Sequence, residues 1–160
     1  MVYYNKNGNV VRTTTRLDIE MMKNHLRLSD VQEVWASHHH TPEKALELSF
    51  AVSELCLTVD VKGMPAVIFG ITPQTLLDNS ATVWMLATEK IRHIRKSFVK
   101  ECQHYIDMML IRYPVLENYV DARNVESIRW LKWCGAVIEE AKPYGVEQLP
   151  FHYFYFGRTN

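Results

Sequence analysis

Between residues 81 and 120 the chain changes its hydrophobic period twice, and this restricts its fold more than any other feature. Ala81 to Ala87, Ala-Thr-Val-Trp-Met-Leu-Ala, reads as a strand. From about His93 to Tyr113 apolar residues recur at three- and four-residue spacing: Ile94, Phe98, Cys102, Tyr105, Ile106, Met109 and Tyr113. Arg95, Lys96, Lys100, Gln103 and Asp107 fall on the opposite face, as an amphipathic helix requires. Pro114 stops that helix, and Leu116 to Val120 is strand-like again. A strand, a long helix and a second strand form a crossover, which joins parallel neighbours of one sheet.

The flanking segments fill in the sheet. Val10 to Thr15 is a first strand, after the turn signal Asn7-Gly8-Asn9. Ile19, Met22 and Leu26 have helical spacing. Ser29 stands three residues before Gln32, a capping-box spacing that opens a helix carrying Val31, Val34 and Trp35. Thr41-Pro42 starts another, with a hydroxyl cap and proline at the first helical position, burying Ala45, Leu46 and Phe50. Leu55 to Val61, the Lys62-Gly63 turn and Pro65 to Gly70 read as a β-hairpin. A polar loop spans Thr72 to Ser80. Asn124 caps a helix with Ile128, Trp130, Leu131 and Trp133, and Gly135 ends it. Ala136 to Glu140 and His152 to Phe156 are the last strands. The expected fold is α/β, one domain over residues 1–160, with a mixed central sheet of about six to seven strands and helices on both faces.

Charge and cysteine use exclude several function classes. Eighteen Lys and Arg cancel eighteen Asp and Glu, whereas a nucleic-acid binder needs a surplus of basic residues, so no nucleic-acid partner is expected. Cys56, Cys102 and Cys134 form no CxxC pair, so neither a zinc knuckle nor a disulfide framework is expected. Three reduced thiols fit a cytoplasm. The first residues, Met1 to Arg16, have no apolar leader core, and no segment approaches the roughly 18 apolar residues of a membrane span. His38-His39-His40 reads as an exposed loop rather than a metal site, because consecutive residues of a helix or strand point apart. Alternation puts Phe151, Tyr153 and Tyr155 on one face of the last strand and His152, Phe154 and Phe156 on the other. If helices leave one face bare, it becomes a protein–protein patch.

The segment Tyr119-Val-Asp-Ala-Arg-Asn124-Val-Glu-Ser127-Ile-Arg-Trp130-Leu131-Lys-Trp-Cys-Gly135-Ala136 carries a family resemblance. With the element order it resembles the GCN5-related N-acetyltransferase (GNAT) fold, in which Asn124 caps, Ser127 packs closely and Gly135 turns before the next strand. Within that fold the chain looks most like the GNAT-like small internal virion proteins of short-tailed bacteriophages. That likeness lies in Lys62-Gly63 to Phe69-Gly70, Tyr113-Pro114 to Asn124, and Pro143-Tyr144-Gly145 to Phe151-His152. It implies a phage protein in the host cytoplasm or packaged in the virion. Its partners would be phage or host proteins, in a homo- or hetero-oligomer.

The resemblance also implies a cofactor position. In the GNAT family acetyl-CoA lies in a split between two strands, with its diphosphate on backbone N–H groups at the start of the next helix. Glycines let the main chain come that close, and the helix dipole favours the anion. Here this places the cofactor along Met85, Leu86 and Ala87, with the loop Lys90, Arg92, His93, Arg95 and Lys96 at the phosphates and Asn124 and Trp130 opposite. His93 and Arg95 stand where glycines belong. Three readings follow: the bulky side chains block the cradle, the five basic residues bind a diphosphate or other anion by charge, or they are the solvated face of a helix. The family's usual catalytic tyrosine position holds Leu131, which has no proton to give. Glu54, Asp60 and Glu89 are the candidate bases, each expected to be an exposed carboxylate. The sequence reading is therefore a virion-associated or assembly protein with a degenerate acetyl-CoA site and no metal; the alternative is an active N-acetyltransferase modifying a host or phage protein.

Overall fold

The computed structural model describes residues 1–6, 8–75, 77 and 79–157. Asn7 of the expected Asn7-Gly8-Asn9 turn, and Leu76 and Asp78 of the expected polar loop, lie outside the described residues.

Alternation dictates the centre of the sheet. β3 (Leu55–Val61) and β4 (Met64–Pro73) form the expected hairpin, with Val61 opposite Met64. Its two turn residues, Lys62 and Gly63, have φ of 51° and 81°. Positive φ at both positions matches the right-handed strand twist, which favours two-residue hairpins of this kind. Along these strands Leu57, Val67, Phe69 and Ile71 enter one core, while Cys56 and Ile68 enter another. A strand buried on both faces must be apolar at consecutive positions, hence the run Ala66-Val67-Ile68-Phe69.

Outward from the hairpin come β2 (Asn9–Thr13) and β1 (Val2–Lys6) on one side, and β5 (Ser80–Ala87), β6 (Val115–Asp121) and β9 (Leu149–Gly157) on the other. β7 (Val137–Ile138) and β8 (Lys142–Tyr144) both pair antiparallel with β9. The described residues thus form a nine-stranded mixed sheet in which β5 and β6 run parallel and the other pairs antiparallel. The sequence reading lacked β1 and β8. Each pairs with a single neighbour at the margin of the sheet.

α1 (Arg16–Met22), α2 (Leu28–His38) and α3 (Pro42–Val52) cover one face through Ile19, Met22, Ala45 and Leu46, packed on Ile68 and Leu86. α4 (Arg95–Arg112) and α5 (Val125–Trp133) cover the other through Phe98, Cys102, Tyr105, Ile106, Met109 and Leu131. The expected face of α4 is buried, except that Tyr113 is half-buried and outside the helix. The Thr41 hydroxyl accepts from Lys44 N at 3.3 Å, as expected of that cap. No helix among the described residues is long and apolar enough to cross a membrane.

Several boundaries differ from expectation for local reasons. α2 begins at Leu28, so Ser29 lies inside its first turn and is not the cap. The cap interaction sits one helix earlier, where Asp18 accepts from Thr15 N at 2.7 Å. Thr14 and Thr15 therefore leave the expected first strand. His93 belongs to a 3-10 turn, Glu89–His93, rather than to the long helix. Ala136 to Glu140 contracts to the two residues of β7, and β9 extends past His152 to Phe156 in both directions.

Candidate functional site

β5 and β6 hydrogen-bond only at their beginnings, where Ser80, Ala81 and Thr82 face Val115, Leu116 and Glu117. One residue later the Asn118 amide donates to Val83 O at 2.8 Å, and beyond it the strands separate. They end at Ala87 and Asp121, each followed by a turn and a helix, with the adjacency expected from the crossover and the divergence that the resemblance implies. The gap is a cavity of about 400 Å³ passing between the two helical layers. Met85, Tyr105 and Leu131 are among its lining residues, with Glu33, Tyr119 and Tyr144 on the α2 side.

Strand geometry determines which backbone groups look into this gap. Thr88 N donates to Ala66 O of β4 at 2.8 Å, so by alternation Ala87, Met85 and Val83 turn their N–H and C=O toward the split. The chain itself has taken several of these. Ala87 N donates to Asp30 Oδ2 at 2.9 Å, and Arg27 N donates to Ala87 O at 2.8 Å. Arg27 grips the same Asp30 carboxylate with two bonds of 3.0 and 2.9 Å. On the opposite lip, Asp121 N donates to Glu33 Oε1 at 2.6 Å, and the Asn124 amide lies 3.4 Å from Glu33 Oε2.

Asp30 and Glu33 are three residues apart, on one face of α2. One helix therefore accepts an N–H from each lip of the split. Burial pushes the Glu33 carboxyl up to about 8, with Asp30 adding to the rise and the bonds from Asp121 and Asn124 opposing it. Burial likewise raises Asp30, against the pull of Arg27. Neither carboxylate, nor Arg27, was among the sequence candidates. The available signal was Arg27, Asp30 and Glu33 at three-residue intervals beside Val34, charges on a helical face that also carries apolar residues.

The residues expected at the cofactor divide into two groups. Met85, Leu86 and Trp130 line the cavity. Ala87 is buried, and Asn124 is engaged as a helix cap, accepting from Ser127 N at 3.2 Å. Lys90, Arg92, His93, Arg95 and Lys96 are all exposed and outside the cavity lining. Arg92 pairs with Glu89 at 3.0 Å, and Arg95 with Glu126 of α5 at 3.1 Å. Donors of the loop turn inward: Lys90 N to the Thr88 hydroxyl at 3.3 Å, Ile91 N to Thr88 O at 3.2 Å, and Ile94 N to Ile91 O at 3.1 Å. Across the gap the rings of Phe98 and Trp130 stack, with centroids 5.7 Å apart. The Trp130 indole N–H is buried without a hydrogen-bond partner.

The candidate bases lie away from the cavity. Glu54 is exposed and accepts from the Tyr113 hydroxyl at 2.5 Å, with Arg112 beside it. Glu89 is exposed in the 3-10 turn. Asp60 departs from expectation: it is buried, because Arg12 binds it at 2.7 and 3.0 Å. Leu131 lines the cavity and is buried. The histidine run is largely exposed, as expected, with His38 ending α2 and its ring stacked on that of His40 at 5.3 Å between centroids. His39 between them has φ of 54°, and that left-handed turn brings its neighbours together.

The profile of the family described as bacteriophage T7 probable scaffold protein Gp13 matches residues 56–142. The chain is 35% identical to the probable scaffold protein gp13 of Escherichia phage T7 over 113 residues, 68% of this chain and 79% of that one. Its fold is similar to that of the spermidine N-acetyltransferase of Vibrio cholerae, solved with CoA and spermine. There the TM-score is 0.69, with 14% identity over 94% of this chain and 96% of the other. The ribosomal-protein-S5-alanine acetyltransferase of Vibrio fischeri gives a TM-score of 0.67 at 14% identity, over 100% of this chain and 98% of that one. The architecture is thus the GNAT fold expected from the sequence, and the chain belongs to the family of the bacteriophage T7 probable scaffold protein Gp13.

Proposed function

We propose that this protein serves phage particle assembly as a protein-binding component, and that its split does not carry acetyl-CoA. The observation behind this reading is the loop from Thr88 to Ile94. A diphosphate needs several N–H groups aimed at one point with no side chains in the way. Here the N–H groups of Lys90, Ile91 and Ile94 are used inside the loop, and His93 and Arg95 carry side chains at the expected glycine positions. Of the five basic residues, Arg92 and Arg95 already face Glu89 and Glu126. Asp30, ion-paired to Arg27, occupies Ala87 N, a backbone donor that faces the split. The residues do not fit the group.

A second reading, acetyl transfer to an amine, draws on one observation. The cavity persists, and Glu33, a carboxyl pushed up to about 8, lines it. A base of that strength suits proton removal from an ammonium near neutral pH.

The assembly role predicts that mass spectrometry of purified particles and assembly intermediates from infected cells detects the protein. Its absence from both, with the protein free in the extract, would end this reading.

A further inference from the structure

On the face bearing α1 to α3, the apolar cluster packs on Cys56, Ile68 and Leu86 of β3, β4 and β5, and beyond it α2 reaches β6 through Glu33 at Asp121 N. There β6 and β9 present tyrosines. Tyr119 sits opposite Tyr153 in the ladder, with ring centroids 5.4 Å apart. Tyr119 also stacks on Tyr144, at 3.8 Å with 9° between the planes. Tyr119 is 39% exposed, so the stack is open to solvent. Beside it lies a groove of about 220 Å³ whose lining includes these three tyrosines, Glu139 and Glu140.

Three carboxylates border these rings. Glu117 accepts from the Tyr153 hydroxyl, and Glu139 and Glu140 are exposed on the groove. None of the three is ion-paired among the described residues. Lys142 is the cation of the groove lining, against Glu139 and Glu140 in that lining and Glu117 at the Tyr153 hydroxyl beside it. In a chain whose charges cancel overall, this is a local excess.

We propose that the surface formed by Tyr119, Tyr144 and Tyr153 with Glu117, Glu139 and Glu140 docks a basic segment of a partner protein, through its Lys or Arg side chains. The face of an aromatic ring attracts a cation, most strongly an Arg guanidinium that can also stack. The unpaired carboxylates supply the countercharge and steer the approach. Tyrosine is also among the residues enriched at the energetic centres of protein interfaces. Nucleic acid is disfavoured at the same place, because its phosphates would face the three carboxylates. The inference does not depend on whether the split binds acetyl-CoA.

The test uses the full chain and a fluorescein-labelled peptide of alternating Gly and Arg, followed by anisotropy, with a Gly-Glu peptide of equal length as control. The Arg peptide should bind saturably and more weakly as salt rises, and the Glu peptide should not bind. The double variant Glu139→Gln, Glu140→Gln changes exposed side chains only and should weaken binding about tenfold. Tyr119→Ala should weaken it similarly. Absence of saturable binding, or equal binding by parent and both variants, overturns the proposal. So does a single-stranded DNA oligonucleotide that binds at these residues, or a dimer in sedimentation that Tyr119→Ala dissolves, since either names a different occupant. Failure here removes this surface, whereas absence from particles removes the assembly role.

Discussion

An Arg12→Met variant is expected to be about 3–5 kcal/mol less stable than the parent. Arg12 on β2 holds Asp18 of α1 at 2.8 and 2.7 Å and Asp60 of β3 at 2.7 and 3.0 Å. The Asp18 side chain is 2% accessible and also accepts from Thr15 N and from the Thr58 hydroxyl, at 2.7 and 3.2 Å. Methionine keeps most of the volume but leaves two carboxylates facing each other with no cation. Urea unfolding at neutral pH measures the loss, and a change below about 1 kcal/mol would mean that the pair is screened as a surface bridge is. The pH dependence has a definite sign. Burial alone would raise the pKa of Asp18, but Arg12 and Thr15 outweigh it and hold the carboxyl below its ordinary value. Its contribution is therefore complete above the unfolded pKa, about 3.9, and is lost as pH falls through the folded one. The variant should lack this acid sensitivity.

Glu33→Gln should act in the opposite direction, stabilising the protein at pH 8 and leaving it unchanged near pH 4. With its carboxyl pushed from 4.5 to about 8, the folded state keeps a proton that the unfolded state releases. Stability then falls as pH rises between those two values. The full shift corresponds to about 5 kcal/mol, and the partial exposure of the residue reduces this to on the order of 2–4 kcal/mol. Glutamine retains an oxygen for Asp121 N while removing the charge. Thermal melts of parent and variant from pH 4 to 9 test this. Parallel curves would show that Glu33 is ionised in the fold and that the split is wetter than the packing implies.

Much of the fold was legible because periodicity reports burial directly. The crossover from Ala81 to Val120 could be read from the α4 stripe and Pro114, and the hairpin from Lys62-Gly63. The caps at Thr41 and Asn124 are local hydrogen bonds that a few residues specify. Edge strands were less visible: Val2–Lys6 and Lys142–Tyr144 are fixed by their partners, not by their own pattern. At the site, sequence reasoning located the strand ends and the glycine-free loop. It read α2 as a helix but missed its place at the split, because the hydrogen bonds from Ala87 to Asp30 and from Asp121 to Glu33 join residues 57 and 88 positions apart. Asp60 was misread for the same reason, since its burial depends on Arg12, 48 positions away.

Asp30 and Glu33 accept the N–H groups of Ala87 and Asp121 at the two lips of the split, and the loop ahead of α4 uses those of Lys90, Ile91 and Ile94 internally. Calorimetric titration of the parent protein with acetyl-CoA tests this most directly. No saturable heat up to millimolar cofactor is predicted, and the double variant Lys90→Ala, Arg92→Ala should give the same flat trace. A one-to-one isotherm in the parent, weakened in that variant, would contradict the account and return the protein to the acetyltransferases.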